Sequence, residues 1–288
     1  RNLRDTRTES GRKVKISLLQ TDIQWADPVA NREALGPALL ACRESDLCVL
    51  PEMWPTGFLT EPEEAGTRDQ QENILWLQSM ADSMNCALVG SMATKTEEGE
   101  WRNRLHFIRP NQEPLFYDKR HLFTYGGEHT RYTRGESRLT VEWRGVRFLP
   151  LICYDLRFPL WSRNSTSADS LFPTRHITER EEMQAQAADD GTEYDVLMYV
   201  ASWPDSRRHA WRSLLVARAI ENQCYVCGVN RVGNDPACYY SGGTLAVDPY
   251  GNIMAEAKDH QQDTLTIELD MERLRHFRKK FPVWKDAD

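Results

Sequence analysis

The chain has 288 residues, 40% of them hydrophobic, with a formal net charge of -7 and a pI near 5.6. That balance argues against nucleic acid or an anionic membrane as the main partner, because both select a basic patch, and no apolar run of about 18 residues is present to span a bilayer. The 7 cysteines are irregularly spaced, and several sit in apolar runs such as Leu47-Cys48-Val49-Leu50, so they read as reduced, buried thiols of a cytoplasmic protein and not as a disulfide framework.

Arg1 to Arg12 is polar and reads as a mobile segment without the apolar stretch of a signal peptide. Residues 13–288 read as a single domain, long enough for a sizeable core. Val14 to Gln20 is the first expected strand. Pro28 to Arg43 is a helix with Asp27 as its N-cap and Pro28 at the first helical position. Asp46 to Leu50 is a second strand, Asn73 to Met84 a helix, and Ala87 to Met92 the next strand. Arg102 to Ile108 and Leu115 to Tyr117 form a hairpin around Pro110-Asn111; Leu139 to Trp143 and Val146 to Ile152 form another, turning at Arg144-Gly145.

Ser165 to Thr192 is polar and long for a connection, and reads as an exposed insertion whose centre, Thr178 to Ala188, suits a helix. Val196 to Ala201 is a strand, Arg207 to Asn222 a helix and Tyr225 to Asn230 a strand. Thr244 to Val247 and Ile253 to Ala255 flank a Pro249-Tyr250-Gly251 turn; Thr264 to Leu269 is the last strand and Met271 to Phe277 a short helix. Strands and helices alternate first and hairpins enter later, which predicts an α/β protein with mixed sheets, helices covering one face of each.

The sharpest chemical signal is an apolar strand ending at Cys153 with Tyr154-Asp155-Leu156-Arg157 directly after it. A strand-to-helix turn exposes a nucleophile and aims the next backbone N–H, that of Tyr154, at a developing oxyanion. The same position suits an inert buried thiol equally well. Glu52, among Pro51, Met53, Trp54 and Pro55, is a carboxylate whose desolvation raises its pKa toward the range of a general base; it also reads as a cap or surface glutamate. Lys119 follows Leu115 to Tyr117, where an ammonium serves an oxyanion or a thiolate, although a lysine in that place is ordinarily a solvated charge. All three lie just past strand ends, the edge at which open α/β sheets bind ligands. Cys224-x-x-Cys227 runs into a strand, where residues three apart face opposite sides, so it is not read as a metal site. His121 and His129 suggest a cysteine–histidine hydrolase less well than the glutamate and lysine suggest their own roles, and Tyr239-Tyr240 reads as packing.

Together, the segments around Glu52, Lys119 and Cys153 resemble the nitrilase superfamily, the carbon–nitrogen hydrolases. The resemblance extends over most of Val14 to Phe281 and includes Val200-Ala201-Ser202-Trp203-Pro204, Ala217-Arg218-Ala219-Ile220-Glu221-Asn222 and Gly228-Val229-Asn230-Arg231. It implies a Glu52–Lys119–Cys153 triad, a second glutamate at Glu128, a four-layer α-β-β-α sandwich and a homodimer. Within the superfamily the chain is most similar to omega-amidases of the bacterial 2-oxoglutaramate amidase type, through Asp118-Lys119-Arg120-His121-Leu122-Phe123, Glu128-His129 and Cys153 to Pro159. The long Ser165 to Thr192 connection departs from that type. The implied reaction is hydrolysis of the terminal amide of a small 2-oxo acid through a thioester, with no metal or organic cofactor. Other carbon–nitrogen hydrolases (an N-carbamoyl amino-acid amidohydrolase, a nitrilase) and a non-catalytic scaffold are the alternatives. The resemblance makes Arg157 the expected partner of the substrate carboxylate, or else a structural arginine paired with Asp155 or another carboxylate, and Phe58, Phe123 and Trp203 are expected pocket walls.

Overall fold

Along β1 (Val14–Gln20), Ile16 and Leu18 enter one buried cluster and Leu19 another; along β2 (Leu47–Val49), Leu47 and Val49 enter the first and Cys48 the second. A period of two, with both sets apolar, is what a sheet covered on both faces requires. The computed structural model of the protein describes residues 13–65, 67–165, 171–179 and 190–286. The segment expected to be mobile, 1–12, and nearly all of the helix expected over Thr178 to Ala188 lie outside the described residues.

The strands continue as β3 (Ala87–Lys95), β4 (Trp101–Ile108), β5 (Leu115–Asp118), β6 (Arg138–Trp143), β7 (Val146–Ile152), β8 (Thr174–Ile177), β9 (Val196–Ala201), β10 (Tyr225–Asn230), β11 (Val232–Asn234), β12 (Tyr239–Ser241), β13 (Leu245–Val247), β14 (Ile253–Glu256) and β15 (Asp263–Leu269). One sheet of 6 strands has the order β15-β1-β2-β3-β4-β5, and a second of 7 has the order β14-β13-β10-β9-β7-β6-β8. Both are mixed: β1, β2 and β3 run parallel, as do β7, β9 and β10, while the hairpins join antiparallel. The sheets stack face to face, with Phe107 of β4 and Phe148 of β7 meeting at 6.1 Å between ring centroids.

The outer face of the first sheet packs on α1 (Pro28–Ala41) and α2 (Thr67–Met84) through Leu35, Leu39, Leu77 and Ala81. The second sheet is covered by α3 (Arg208–Asn222), whose Trp211 and Leu215 lie so close to Gly228 of β10 that an added Cβ would sit 2.5 Å from Leu215 Cδ1. A short helix, α4 (Met271–Lys280), buries Leu274 and Arg278. This is the four-layer α-β-β-α sandwich expected from the sequence. Asp27 caps α1 as expected, accepting from the Ala30 N–H at 3.0 Å.

Several expectations change: α2 begins at Thr67 and not Asn73, and α4 runs on to Lys280 past Phe277. β3 runs on to Lys95, past Met92, because it pairs with β4 as far as Lys95↔Trp101; tertiary pairing overrides the weak strand preference of its polar end. Within the expected insertion, Thr174–Ile177 forms β8, an edge strand parallel to β6. Only its ends, Thr174 and Ile177, are partly buried, and a short edge strand of this kind carries no apolar alternation, so it left no periodic signal. The returning chain is pinned by the fully buried Arg278, which pairs with Asp190 and Asp195, each at 3.0 Å.

Candidate active site

The carboxyl ends of β2, β5, β7 and β9 deliver Glu52, Lys119, Cys153 and Ser202 to one pocket. Cys153 opens a short 3₁₀ turn directly after β7 and holds φ at +42°, the left-handed region that a residue with a Cβ rarely adopts. Met53, directly after Glu52, holds φ at +48°. Strained backbone at both chemical groups is a cost of about 1–3 kcal/mol each, sustained where the surroundings over-determine the geometry.

Those surroundings are polar, buried and paired. Lys119 Nζ donates to Glu52 Oε1 at 2.8 Å and to Glu128 Oε2 at 2.9 Å, and all three residues are shut off from solvent. The second oxygen of Glu52 accepts the Ser202 backbone N–H at 2.9 Å, which joins the two sheets across the site. Asn103 Nδ2 bridges both carboxylates, at 2.8 Å to Glu52 and 2.9 Å to Glu128. Glu128 stands behind Lys119 and also accepts the Phe123 N–H at 2.6 Å. The Cys153 thiol lines the same pocket, in the field of both Glu52 and Lys119.

Electrostatics follow from burial. Desolvation alone would lower the Lys119 pKa, but Glu128 and Glu52 outweigh it and raise it, so the ammonium stays charged. Burial, and next the charge of Glu52, push the Cys153 thiol well above its ordinary value, against the pull of Lys119. A thiol held neutral beside a carboxylate needs a base at the moment of attack. Burial likewise raises Glu128, with Lys119 opposing.

The other residues singled out from the sequence also come to this place. Phe58, Phe123, Tyr154, Arg157 and Trp203 line the pocket. Lys119 Nζ sits 5.3 Å from the Phe58 ring centroid, and the Arg157 guanidinium lies 5.1 Å from that of Trp203. Asp155 is not the partner of Arg157; it is taken up by Tyr117 and His121. Tyr240, read as packing, is a wall of the pocket, its hydroxyl donating to Asp235 at 2.6 Å. Asn103, Ser202, Arg207 and Cys238 were missed. Ser202 was reachable by the strand-end rule that selected the others. Asn103 was reachable from the alternation Trp101, Asn103, Leu105, Phe107, which turns it inward with three apolar neighbours.

A buried thiol facing a carboxylate and an ammonium, at the strand ends of this sandwich, defines a cysteine-dependent hydrolase of acyl compounds. The chain belongs to the carbon-nitrogen hydrolase family, which it matches over residues 15–279. It is 42% identical over 276 residues to omega-amidase YafV of Escherichia coli, covering 96% of this chain and 97% of that one. It is 31% identical over 277 residues to 2-oxoglutaramate amidase of Bacillus subtilis, covering 95% and 97%. Among solved structures it is similar to XC1258 of Xanthomonas campestris, a CN-hydrolase superfamily protein with an arsenic adduct in its active site, with a TM-score of 0.85, 36% identity and coverage of 96% and 98%.

Proposed function

We propose that this protein is an omega-amidase that cleaves the terminal amide of a short 2-oxo acid, and that Glu52, Lys119, Glu128 and Cys153 do the chemistry. The observation that carries the reading is the buried contact of one ammonium with two carboxylates, with Cys153 lining the pocket that Glu52 and Lys119 share. Glu52 takes the Cys153 proton as sulfur attacks the amide carbon. The carbonyl oxygen becomes an oxyanion, met by the Lys119 ammonium and the Tyr154 N–H; one such donor is worth about 3–4 kcal/mol. Glu52 returns its proton to the departing nitrogen, ammonia leaves, and a thioester remains. Water, deprotonated by Glu52, attacks that thioester; the acid departs and sulfur recovers the proton. Glu128 and Asn103 hold Lys119 and Glu52 in place throughout.

The two named amidases, similar over nearly their whole lengths, support the substrate class. Arg157 supports it too: exposed at the pocket, and with no carboxylate partner among the described residues, it is free to meet the substrate carboxylate. Ammonia release from 2-oxoglutaramate, an N-carbamoyl amino acid and a simple nitrile tests the reading. Rapid release is expected from the first alone; preference for either other compound overturns the substrate class, and release from none overturns the enzyme.

A second test separates the base from the nucleophile. Glu52→Gln is expected to lower turnover by about 10²–10⁴-fold. The Glu52 charge raises the thiol pKa, so its removal lowers that pKa. At pH 8 the variant's Cys153 should therefore be alkylated by iodoacetamide faster than the wild type's, as peptide mass spectrometry reads.

We also place the protein in a reducing compartment, the cytoplasm, in keeping with its 7 free cysteines. We propose a homodimer, supported by apolar surface at Ile220, packed beside Gly251, and at Tyr250, stacked on Phe277. The mass in solution reads that state. No helix among the described residues is long and apolar enough to cross a membrane.

A further inference from the structure

The two reacting side chains come from different sheets. Lys119 follows β5 and Cys153 follows β7, so something must set one against the other. Asp155 lies two residues past Cys153, and its carboxylate is fully buried. One of its oxygens accepts the Tyr117 hydroxyl at 2.8 Å and the Ile152 N–H at 3.1 Å. The other accepts the His121 N–H at 2.9 Å and faces His121 Nδ1 at 2.8 Å. Tyr117 and His121 flank Lys119 by two residues on either side, and Ile152 precedes Cys153. The ties extend outward. The Tyr117 hydroxyl accepts from Trp161 Nε1 at 2.9 Å and from the Arg120 N–H at 3.2 Å, and the His121 ring stacks on Phe158 at 3.8 Å.

We propose that Asp155 is a positioning residue: its carboxylate staples the segment bearing Lys119 to the turn bearing Cys153, and so sets the reach between ammonium and thiol. The inference rests on the catalytic reading above, and deepens it. A buried carboxylate that gathers donors from two strand ends is costly unless each contact is made. Here every contact falls on the neighbours of the two reacting groups. Without it, the left-handed Cys153 loses the bond that holds Ile152, and the Lys119 segment loses its tie to the opposite sheet. Displacement of either group by about 1 Å is enough to cost about 10²-fold in rate.

Asp155→Asn and Tyr117→Phe test this. Asparagine keeps the size of the side chain but turns an N–H toward donors; phenylalanine keeps the ring and removes the hydroxyl's bond to Asp155, together with those it accepts from Trp161 and the Arg120 N–H. In both, kcat with 2-oxoglutaramate should fall about 10–100-fold, with KM within about threefold because neither residue lines the pocket. The rate at which iodoacetamide labels Cys153 at pH 8, read on the isolated peptide, should fall as well, because the ammonium that favours the thiolate is no longer held in place. If Asp155→Asn does not fold, Tyr117→Phe decides. A lowered melting temperature with unchanged kcat and unchanged labelling would show a merely structural role and overturn the proposal. A rise in KM at constant kcat would overturn it too. If the wild type releases no ammonia, the amidase reading fails, and the labelling rates still decide whether Asp155 positions the thiol.

Discussion

Cys153→Ala is expected to yield a folded protein whose ammonia release from 2-oxoglutaramate falls by roughly 10⁴-fold or more, since no other group in the pocket can form the thioester. Cys238 is the other thiol there, and it lies beside Arg207 and Tyr240, not against Glu52. Stability should change little, because the deleted atom is a single sulfur and the nearby Glu52 keeps Lys119, Asn103 and the Ser202 N–H. Quenching the wild-type enzyme during turnover should reveal a mass increase equal to the acyl group on the peptide bearing Cys153, and the variant should show none. Near-normal turnover in the variant would remove the nucleophile from the scheme.

Lys119→Ala is expected to hurt twice. Loss of an oxyanion donor should lower kcat/KM by about 10²–10³-fold. Loss of the cation also leaves Glu52 and Glu128 buried beside each other without a counter-charge, which typically destabilises a fold by about 3–5 kcal/mol. The two effects have different pH signatures. In the wild type the folded-state pKa of Lys119 is raised above its unfolded value. Its contribution is therefore fully present below about pH 10.4 and lost only as the pH climbs through the folded value. In the variant Glu128 loses the charge that opposes its raised pKa and becomes easier to protonate, so the stability gap should narrow as the pH falls from 8 to 5, as thermal unfolding at each pH reads. Lys119→Met should behave alike in turnover. A variant of either kind with near-wild-type kcat/KM would end the oxyanion role.

Much of the architecture was legible locally. Short apolar runs marked β1 and β2, Asp27-Pro28 marked the start of α1, and Arg144-Gly145, with φ of 52° and 74°, marked the hairpin that leads to Cys153. Those signals are legible because they arise between neighbours: a staggered side chain, a capped N–H, a turn that only certain residues enter. β8 was illegible for the opposite reason. Its residues Thr174 to Ile177 acquire strand structure from β6, some 36 positions earlier in the chain.

The site divides in the same way. From the amino-acid order alone came the strand ends, and hence the side chains that protrude from them: Glu52, Lys119 and Cys153. The folded arrangement alone decided what each of them touches. Lys119 meets Glu52 across 67 positions, and Ser202 meets Glu52 across 150. Asn103 bridges two carboxylates from the inward face of β4, and Asp155 turns away from Arg157 toward Tyr117 and His121. The cause is the range of the forces. Backbone preference and capping act over a few residues, whereas desolvation and ion pairing depend on which distant groups the stacked sheets enclose together.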